Sequence, residues 1–478
     1  MKGVVLPFAI TNRGVGGFYH FSPPMPPFFI KKFNYFLAKN NKSYIVGVMK
    51  TLFPKQVEAC EFFTKCLRGY TNTLDTSDVG TGKTVVASHI SKNLNDPVAG
   101  ICPKAVIPTW ERELEETGIK PLFVLNYEKI RMGRTEFMSK KGKKIMTWNL
   151  PENTLVLVDE VHKCKGAYTQ NAQLIISLVQ QGFRVHGMSA TAAEDPTEMR
   201  ALGYMLGLHS LNKNEDGLKN WYGWMKLNGC VKDHWNKWQL LSRAKLEEIK
   251  NTIYGVCGYN LTIADFPDSF RNNRVFVEYV EFSETEAIKR AYKSLNITPD
   301  IVERFIEEGT VEDSNYMLVN ILRARQLTEA LKCPDIVDMA NDLAQKNSVV
   351  IFVNFKDTVN TLCDKLGCGR IEGGQSIGER QKVIDDFQAD KTHIIVANIA
   401  AGGTGLSLHD TIGDRPRVSL ICPSYNAKEY AQTLGRIHRN GAKSDALQKV
   451  LVASGTVEEN VMLSISRKID NMNELLGI

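Results

Sequence analysis

Eight consecutive residues, Ser77-Asp78-Val79-Gly80-Thr81-Gly82-Lys83-Thr84, have types and spacing suited to holding phosphate. Small side chains let a backbone wrap closely round a phosphate, so that successive N–H groups point at its oxygens. At this spacing Lys83 reaches the β- and γ-phosphates of a nucleotide, and the Thr84 hydroxyl binds Mg2+. Val85-Val86-Ala87 and Ile90 then begin a helix whose N-terminus faces the phosphates. The strict pattern has Gly first, where this chain has Ser77, and the strand expected before it, Thr71 to Asp75, is weak. A chance Gly-rich turn is the plain alternative. A second signal counts against it: Leu155-Val156-Leu157-Val158 runs directly into Asp159-Glu160-Val161-His162. A carboxylate at the end of a buried strand beside a phosphate loop can hold the metal's water shell. The adjacent Glu160 can polarise an attacking water as general base.

The elements that must position these groups are short buried strands. Val98 to Cys102, Leu155 to Val158 and Arg184 to Met188 form one series. Val349 to Val353, His393 to Ala397, Val418 to Cys422 and Val450 to Val452 form a second. Brief apolar runs flanked by turns suit strands covered on both faces, hence parallel sheets. Two series imply two α/β domains. Residues ~205–270 and ~283–345 between them read as polar and helical. Trp221 with Trp224, and Trp235 with Trp238, are spaced i, i+3, which places each pair on one helical face as a small core.

Composition bounds the rest. A chain of 478 residues is long enough for at least two cores, and 43% apolar with 23% charged residues excludes a mainly disordered chain. No run reaches the ~18 apolar residues of a membrane span, and the start, Val4 to Ile10 broken by Pro7, is a poor secretory signal. The ten cysteines never fall as Cys-x-x-Cys, and Cys230 with His234 lacks the second pair a zinc site needs. Reduced, packed thiols in an intracellular protein are expected. Residues 1–50 hold seven Lys or Arg, no acid and ten aromatics, whereas the other 428 residues carry 52 basic and 53 acidic side chains. That segment could hold nucleic acid by phosphate contact and stacking, or simply bury its rings.

Asp159-Glu160-Val161-His162 resembles the DExH box of superfamily 2 helicases, and that superfamily's other motifs follow in order. Phe53-Pro54-Lys55-Gln56 resembles the adenine-reading glutamine motif. Cys102-Pro103-Lys104 with Trp110-Glu111-Arg112-Glu113 resembles motif Ia of the Swi/Snf-like branch, and Ser189-Ala190-Thr191 resembles motif III. Gly402 to Leu408 resembles motif V, and Gln432 to Arg439 resembles motif VI. The resemblance implies two RecA-like parallel-sheet domains in tandem: motor domain 1 at 49–205, which binds ATP, and motor domain 2 at 271–478. A helical insertion at 206–270 separates them, and a small basic, aromatic accessory domain occupies 1–48.

The resemblance also assigns roles. ATP is bound by Gln56, by Ser77, Asp78, Val79, Gly80, Thr81, Gly82, Lys83 and Thr84, and by Gln432. Mg2+ is held by Thr84 and Asp159, and catalysis falls to Lys83, Asp159, Glu160, Arg436 and Arg439. The two arginines, three apart on an expected helix, act as arginine fingers from the second domain. His162, Ser189, Ala190, Thr191, Gly403 and Gly405 couple hydrolysis to movement. Lys140, Lys141, Lys143 and Lys144 form a basic loop, read as solvated first and as a phosphate contact second.

Within the superfamily, Pro103, Asn126-Tyr127-Glu128 and Gly435 to Gly441 look Swi/Snf-like, and Tyr222-Gly223-Trp224 resembles the fork-remodelling members. Ser189-Ala190-Thr191 stands where that branch usually has Gly-Thr-Pro, and Gly166 where it usually has Asn. The expected function is an ATP-dependent motor on duplex DNA that remodels or unwinds branched DNA with little sequence preference. It would work away from membranes, in the cytoplasm, the nucleoid, or a host cell's cytoplasm. The rivals are an RNA helicase of the same superfamily, a nucleic-acid clamp without turnover, and the motor subunit of a larger assembly.

Overall fold

Leu155, Val156, Leu157 and Val158 are all buried, and they alternate between two core clusters, Val156 and Val158 in one, Leu155 and Leu157 in the other. A strand apolar on both faces must be covered on both sides. The computed structural model shows that arrangement twice. It describes residues 50–141, 145–166, 168–193, 195–212, 219–234, 236, 238–241, 245–266, 269–308, 314–402 and 406–476. Met49–Ile478 is one compact unit. The expected accessory domain at 1–48, Trp235, Lys143, Lys144, Gly403 and Gly405 lie outside the described residues.

In chain order the strands are β1 Thr73–Asp75, β2 Val98–Cys102, β3 Phe123–Asn126, β4 Met138–Lys141, β5 Ile145–Trp148, β6 Leu155–Asp159, β7 Arg184–Met188, β8 Cys230–Lys232, β9 Trp238–Leu240 and β10 Gly258–Tyr259. They continue with β11 Asn273–Val280, β12 Ser348–Val353, β13 Gly369–Ile371, β14 Ile394–Asn398, β15 Arg417–Ile421 and β16 Ala446–Ala453. One six-stranded sheet has the order β10-β1-β7-β6-β2-β3 and the other β11-β16-β15-β12-β14-β13. All pairings within both are parallel. The fold is therefore α/β, with two parallel-sheet lobes. No described helix is long and apolar enough to cross a membrane.

Parallel sheets expose loops at the carboxyl ends of their strands, where ligands bind. β1, β7 and β6 are neighbours, so the phosphate loop after β1, Ser189 after β7 and Glu160 after β6 leave one edge side by side. Helices Pro54–Arg68, Lys83–Leu94 and Ile107–Glu116 cover one face through Phe63, Leu67, Val86, Ile90, Trp110 and Leu114.

Three sequence expectations are corrected. Trp221 and Trp224 do share a helix, Trp221–Leu227, with rings stacked at 5.9 Å. Trp238 instead lies in β9, in antiparallel pairing with β8, and its ring stacks on Tyr222 at 6.2 Å. The stretch read as a helical insertion also returns to the first sheet, because β10 pairs in parallel with β1. Finally, Arg436 and Arg439 are not on a helix: helix Ala427–Leu434 stops at Gly435, and both follow in irregular chain. Lys140 and Lys141 belong to the β4–β5 ribbon, where the Lys140 ammonium donates to the Arg131 carbonyl at 2.9 Å and to Gln170 at 2.8 Å.

Candidate active site

Between β1 and helix Lys83–Leu94 the chain must turn sharply, and Gly80 and Gly82 both adopt φ of +91°, which L side chains rarely adopt. The turn is clamped from outside. Ser77 Oγ accepts the Leu261 N–H at 2.9 Å, Asp78 Oδ2 accepts the Ile263 N–H at 2.9 Å, and the Asp78 N–H donates to the Leu261 carbonyl at 2.8 Å. The hydroxyl that departs from the strict glycine pattern thus ties the loop to the segment after β10. That segment was not singled out from the sequence, since its residues carry no chemical signature of their own.

Within the loop the Lys83 ammonium donates to the Ser77 carbonyl at 2.5 Å and the Asp78 carbonyl at 3.0 Å. Burial pulls its pKa below the ordinary lysine value, opposed by the charges of Asp75, Glu160, Asp159 and Asp78. Thr81 Oγ1 donates to the Asp78 carbonyl at 2.8 Å. Gln56, buried on helix Pro54–Arg68, donates from Nε2 to the Thr81 carbonyl at 2.7 Å and accepts the Phe53 N–H at 2.9 Å. Gln56 therefore braces the loop directly, and a Cβ on Gly82 would stand 2.5 Å from its Nε2. Val79 faces the second lobe, and Thr84 opens the helix after Lys83.

At the end of β6 the Asp159 carboxylate is held twice, by the Trp110 indole N–H on Oδ2 at 2.9 Å and by the Glu160 N–H on Oδ1 at 2.9 Å. The Tyr127 hydroxyl donates to the Asp159 carbonyl at 2.6 Å. Glu160 has φ of +53°, a left-handed conformation costing a non-glycine residue about 1 kcal/mol. Burial and the neighbouring Glu160 charge raise the Asp159 pKa. Burial acts the same way on Glu160, but hydrogen bonding and charge from His162, with Lys83 and Arg436, outweigh it and hold that carboxylate ionised. His162 Nδ1 lies 3.2 Å from Glu160 Oε2 and 3.0 Å from Ser189 Oγ, and Ser189 Oγ also accepts the Thr191 N–H at 3.2 Å. Ala190 is the partly exposed link between Ser189 and Thr191.

The second lobe closes the site. Gln432 Nε2 donates to Glu160 Oε2 at 3.2 Å. Arg439, whose Nε donates to the Gly435 carbonyl at 3.2 Å, lies so close to the phosphate loop that a Cβ on Gly80 would meet its Cγ at 3.3 Å. Arg436 is buried, its Nη1 3.4 Å from the Leu406 carbonyl. Burial lowers Arg436 to about 9 and Arg439 to about 10, with Glu160 opposing the fall in both. Lys428 Nζ bonds Glu198 Oε2 at 3.0 Å across the lobes, and Lys165 pairs with the same carboxylate. Trp110 and Tyr127, read from the sequence as parts of motif segments, complete the site with Glu198 and Lys428, whose contacts are tertiary and leave no local spacing to read.

Gly435 sets the approach of the lobes, because a Cβ there would lie 2.6 Å from Val79 Cγ1 and 2.7 Å from Val79 Cβ. Gly435→Ala is expected to lower ATP turnover at least tenfold, about 1.4 kcal/mol in the barrier, by wedging the lobes apart. Gly378→Ala, with nothing within 4 Å of its Cβ, is the control and should turn over normally. Steady-state ATPase of the two variants checks this, and equal rates would contradict it.

Residues 331–441 match the helicase conserved C-terminal domain family. A protein of Acanthamoeba polyphaga mimivirus named as an ATP-dependent RNA helicase, L364, is 32% identical over 454 residues, covering 89% of this chain and 83% of that protein. A RAD54-like DNA repair and recombination protein of Drosophila ananassae is 29% identical over 182 residues, covering 34% of this chain and 22% of that protein. Among solved structures, the Sulfolobus solfataricus SWI2/SNF2 ATPase core in complex with dsDNA matches 90% of this chain and 97% of its own at 16% identity, with a TM-score of 0.37. With the mimivirus relative matching along most of both chains, the chain belongs to the superfamily 2 helicases, ATP-hydrolysing enzymes.

Proposed function

We propose that this ATPase is a motor that couples hydrolysis to movement along duplex DNA and remodels or unwinds branched DNA. The observation that carries the reading is the seating of Gln432 and Arg439 from one lobe on Glu160 and the phosphate loop of the other. A nucleotide in that cleft touches both lobes, so binding closes them and hydrolysis lets them part. Lys83 and the loop N–H groups hold the phosphates, while Arg436 and Arg439 face the charge that develops on the transferred phosphoryl group. Glu160, ionised and fixed by His162 and Gln432, accepts the proton of the attacking water. The His162–Ser189–Thr191 chain links that carboxylate to the segment after β7 and carries the coupling. Gly403 and Gly405 are proposed to share it. Asp159 and Thr84 offer hard oxygen donors of the kind Mg2+ takes. Bound there, the ion would neutralise phosphate charge. Ten free cysteines support an intracellular, reducing setting.

Glu160→Gln keeps the shape of the side chain and removes the base. Turnover is expected to fall about 10²-fold or more, with ATP still bound and the protein retained on DNA. Single-turnover hydrolysis beside nucleotide binding checks this, and normal hydrolysis would contradict the role.

The name of the RAD54-like relative supports DNA as the track, and that of the mimivirus relative favours a second reading, RNA. Titrating ATPase stimulation with duplex DNA, forked DNA and RNA separates them. DNA should stimulate more strongly than RNA, and forks at least as strongly as plain duplex. Stimulation by RNA alone would transfer the reading to an RNA helicase, and turnover absent with every nucleic acid would favour a clamp.

A further inference from the structure

Helix Lys356–Leu366 ends at Gly367, whose φ is +60° and whose N–H donates to the Cys363 carbonyl at 2.8 Å. A left-handed cap of this kind folds the following residue back over the last helical turn, where an apolar contact usually forms. Here both partners of that contact are thiols. The Cys368 S–H donates to Cys363 Sγ at 3.8 Å, and Cys363 Sγ lies 3.7 Å from the Gly369 carbonyl. Of ten free cysteines, these two are hydrogen-bonded to each other. Cys363 is buried and Cys368 is partly exposed, so the pair meets solvent on the Cys368 side.

The electrostatic setting also singles out the pair. Hydrogen bonding from Cys368 draws Cys363 below the ordinary thiol value, against burial and with help from the Arg370 charge. Burial pushes Cys60, Cys102, Cys164, Cys333 and Cys422 the other way. A thiolate stabilised by a neighbouring S–H is the nucleophile of thiol oxidation, with the second sulfur already in place to resolve it.

We propose that Cys363 and Cys368 are an oxidation site that closes to a reversible intramolecular disulfide when the protein meets hydrogen peroxide. One sulfur attacks a peroxide oxygen and the O–O bond breaks. The departing hydroxide leaves as water after taking a proton, and the attacking sulfur becomes a sulfenic acid. The second sulfur then attacks the first, displacing hydroxide, which takes up the remaining thiol proton as a second water. Two thiols lose two electrons in all, and one peroxide is reduced to two waters. The sulfurs must close from 3.8 Å to about 2.05 Å. The bond would tie the helix that follows β12 to β13, the edge strand of the second sheet.

Trypsin reads the outcome, because Lys365 lies between the two cysteines and Arg370 lies just after them. Full-length protein is treated with hydrogen peroxide at one to a few equivalents, alkylated and digested. Peptides 357–365 and 366–370 are expected as one linked species two hydrogens lighter than their sum, lost on treatment with dithiothreitol. It should be the main oxidised cysteine product of the wild-type protein. Cys363→Ser and Cys368→Ser should each abolish it, and Cys368→Ser should leave a sulfenic acid on Cys363 that dimedone traps. If other cysteines oxidise while this pair stays reduced, or if either sulfur proceeds to sulfinic acid without the link, the proposal is overturned.

Discussion

Lys83→Ala is expected to abolish steady-state ATP turnover and to leave the fold intact. The ammonium lies inside the phosphate loop, where it donates to the Ser77 and Asp78 carbonyls. Asp75, Asp78, Asp159 and Glu160 all act on it electrostatically. Without it, a polyanionic nucleotide would meet those carboxylates with one fewer positive charge to offset them. The helix that begins at Lys83 is anchored elsewhere, through buried Val86, Ala87 and Ile90, so its packing survives the truncation. Turnover within about threefold of wild type, a loss below ~1 kcal/mol, would remove Lys83 from the chemistry. An unchanged melting temperature would show that lost turnover is not lost structure.

Arg439→Ala should lower kcat by about 10³-fold, the size seen for arginine fingers, and change nucleotide affinity far less. The expected split follows from position. Arg439 belongs to the second lobe yet touches the loop of the first at Gly80, so its guanidinium can act on charge that forms only as the phosphoryl group transfers. Its Nε is held by the Gly435 carbonyl, which aims the side chain even though no helix carries it. Parallel measurement of kcat and of nucleotide Kd decides the matter. Equal losses in both would mark Arg439 as a ligand of the bound nucleotide and not of the transition state.

Much of this site was legible in the sequence because its signals are local. Ser77 to Thr84 is a backbone device, and Asp159 and Glu160 sit at the end of a strand whose four apolar residues announce burial on both faces. Strands such as β2 and β7 could be placed for the same reason. β11 escaped notice because it is an edge strand with mostly exposed side chains, so no apolar run marks it. Trp238 misled because i, i+3 spacing is compatible with a helix but does not require one. The arginines of motif VI misled differently: the helix before them stops at Gly435, where close contact with Val79 of the other lobe leaves no room for a Cβ. The clamp on the phosphate loop by Leu261 and Ile263, and the Trp110 bond to Asp159, join residues 184, 185 and 49 apart in sequence. Such contacts exist only once the sheet has formed.

Displacement of a triplex-forming strand from a DNA duplex tests whether the two-lobe ATPase moves along duplex DNA. Wild-type protein with ATP should displace the third strand without separating the duplex beneath it. The Lys83→Ala protein should leave the triplex intact at the same concentration. Brisk ATP hydrolysis with no displacement from any duplex, accompanied by ATP-dependent unwinding of RNA, would rule out movement on DNA.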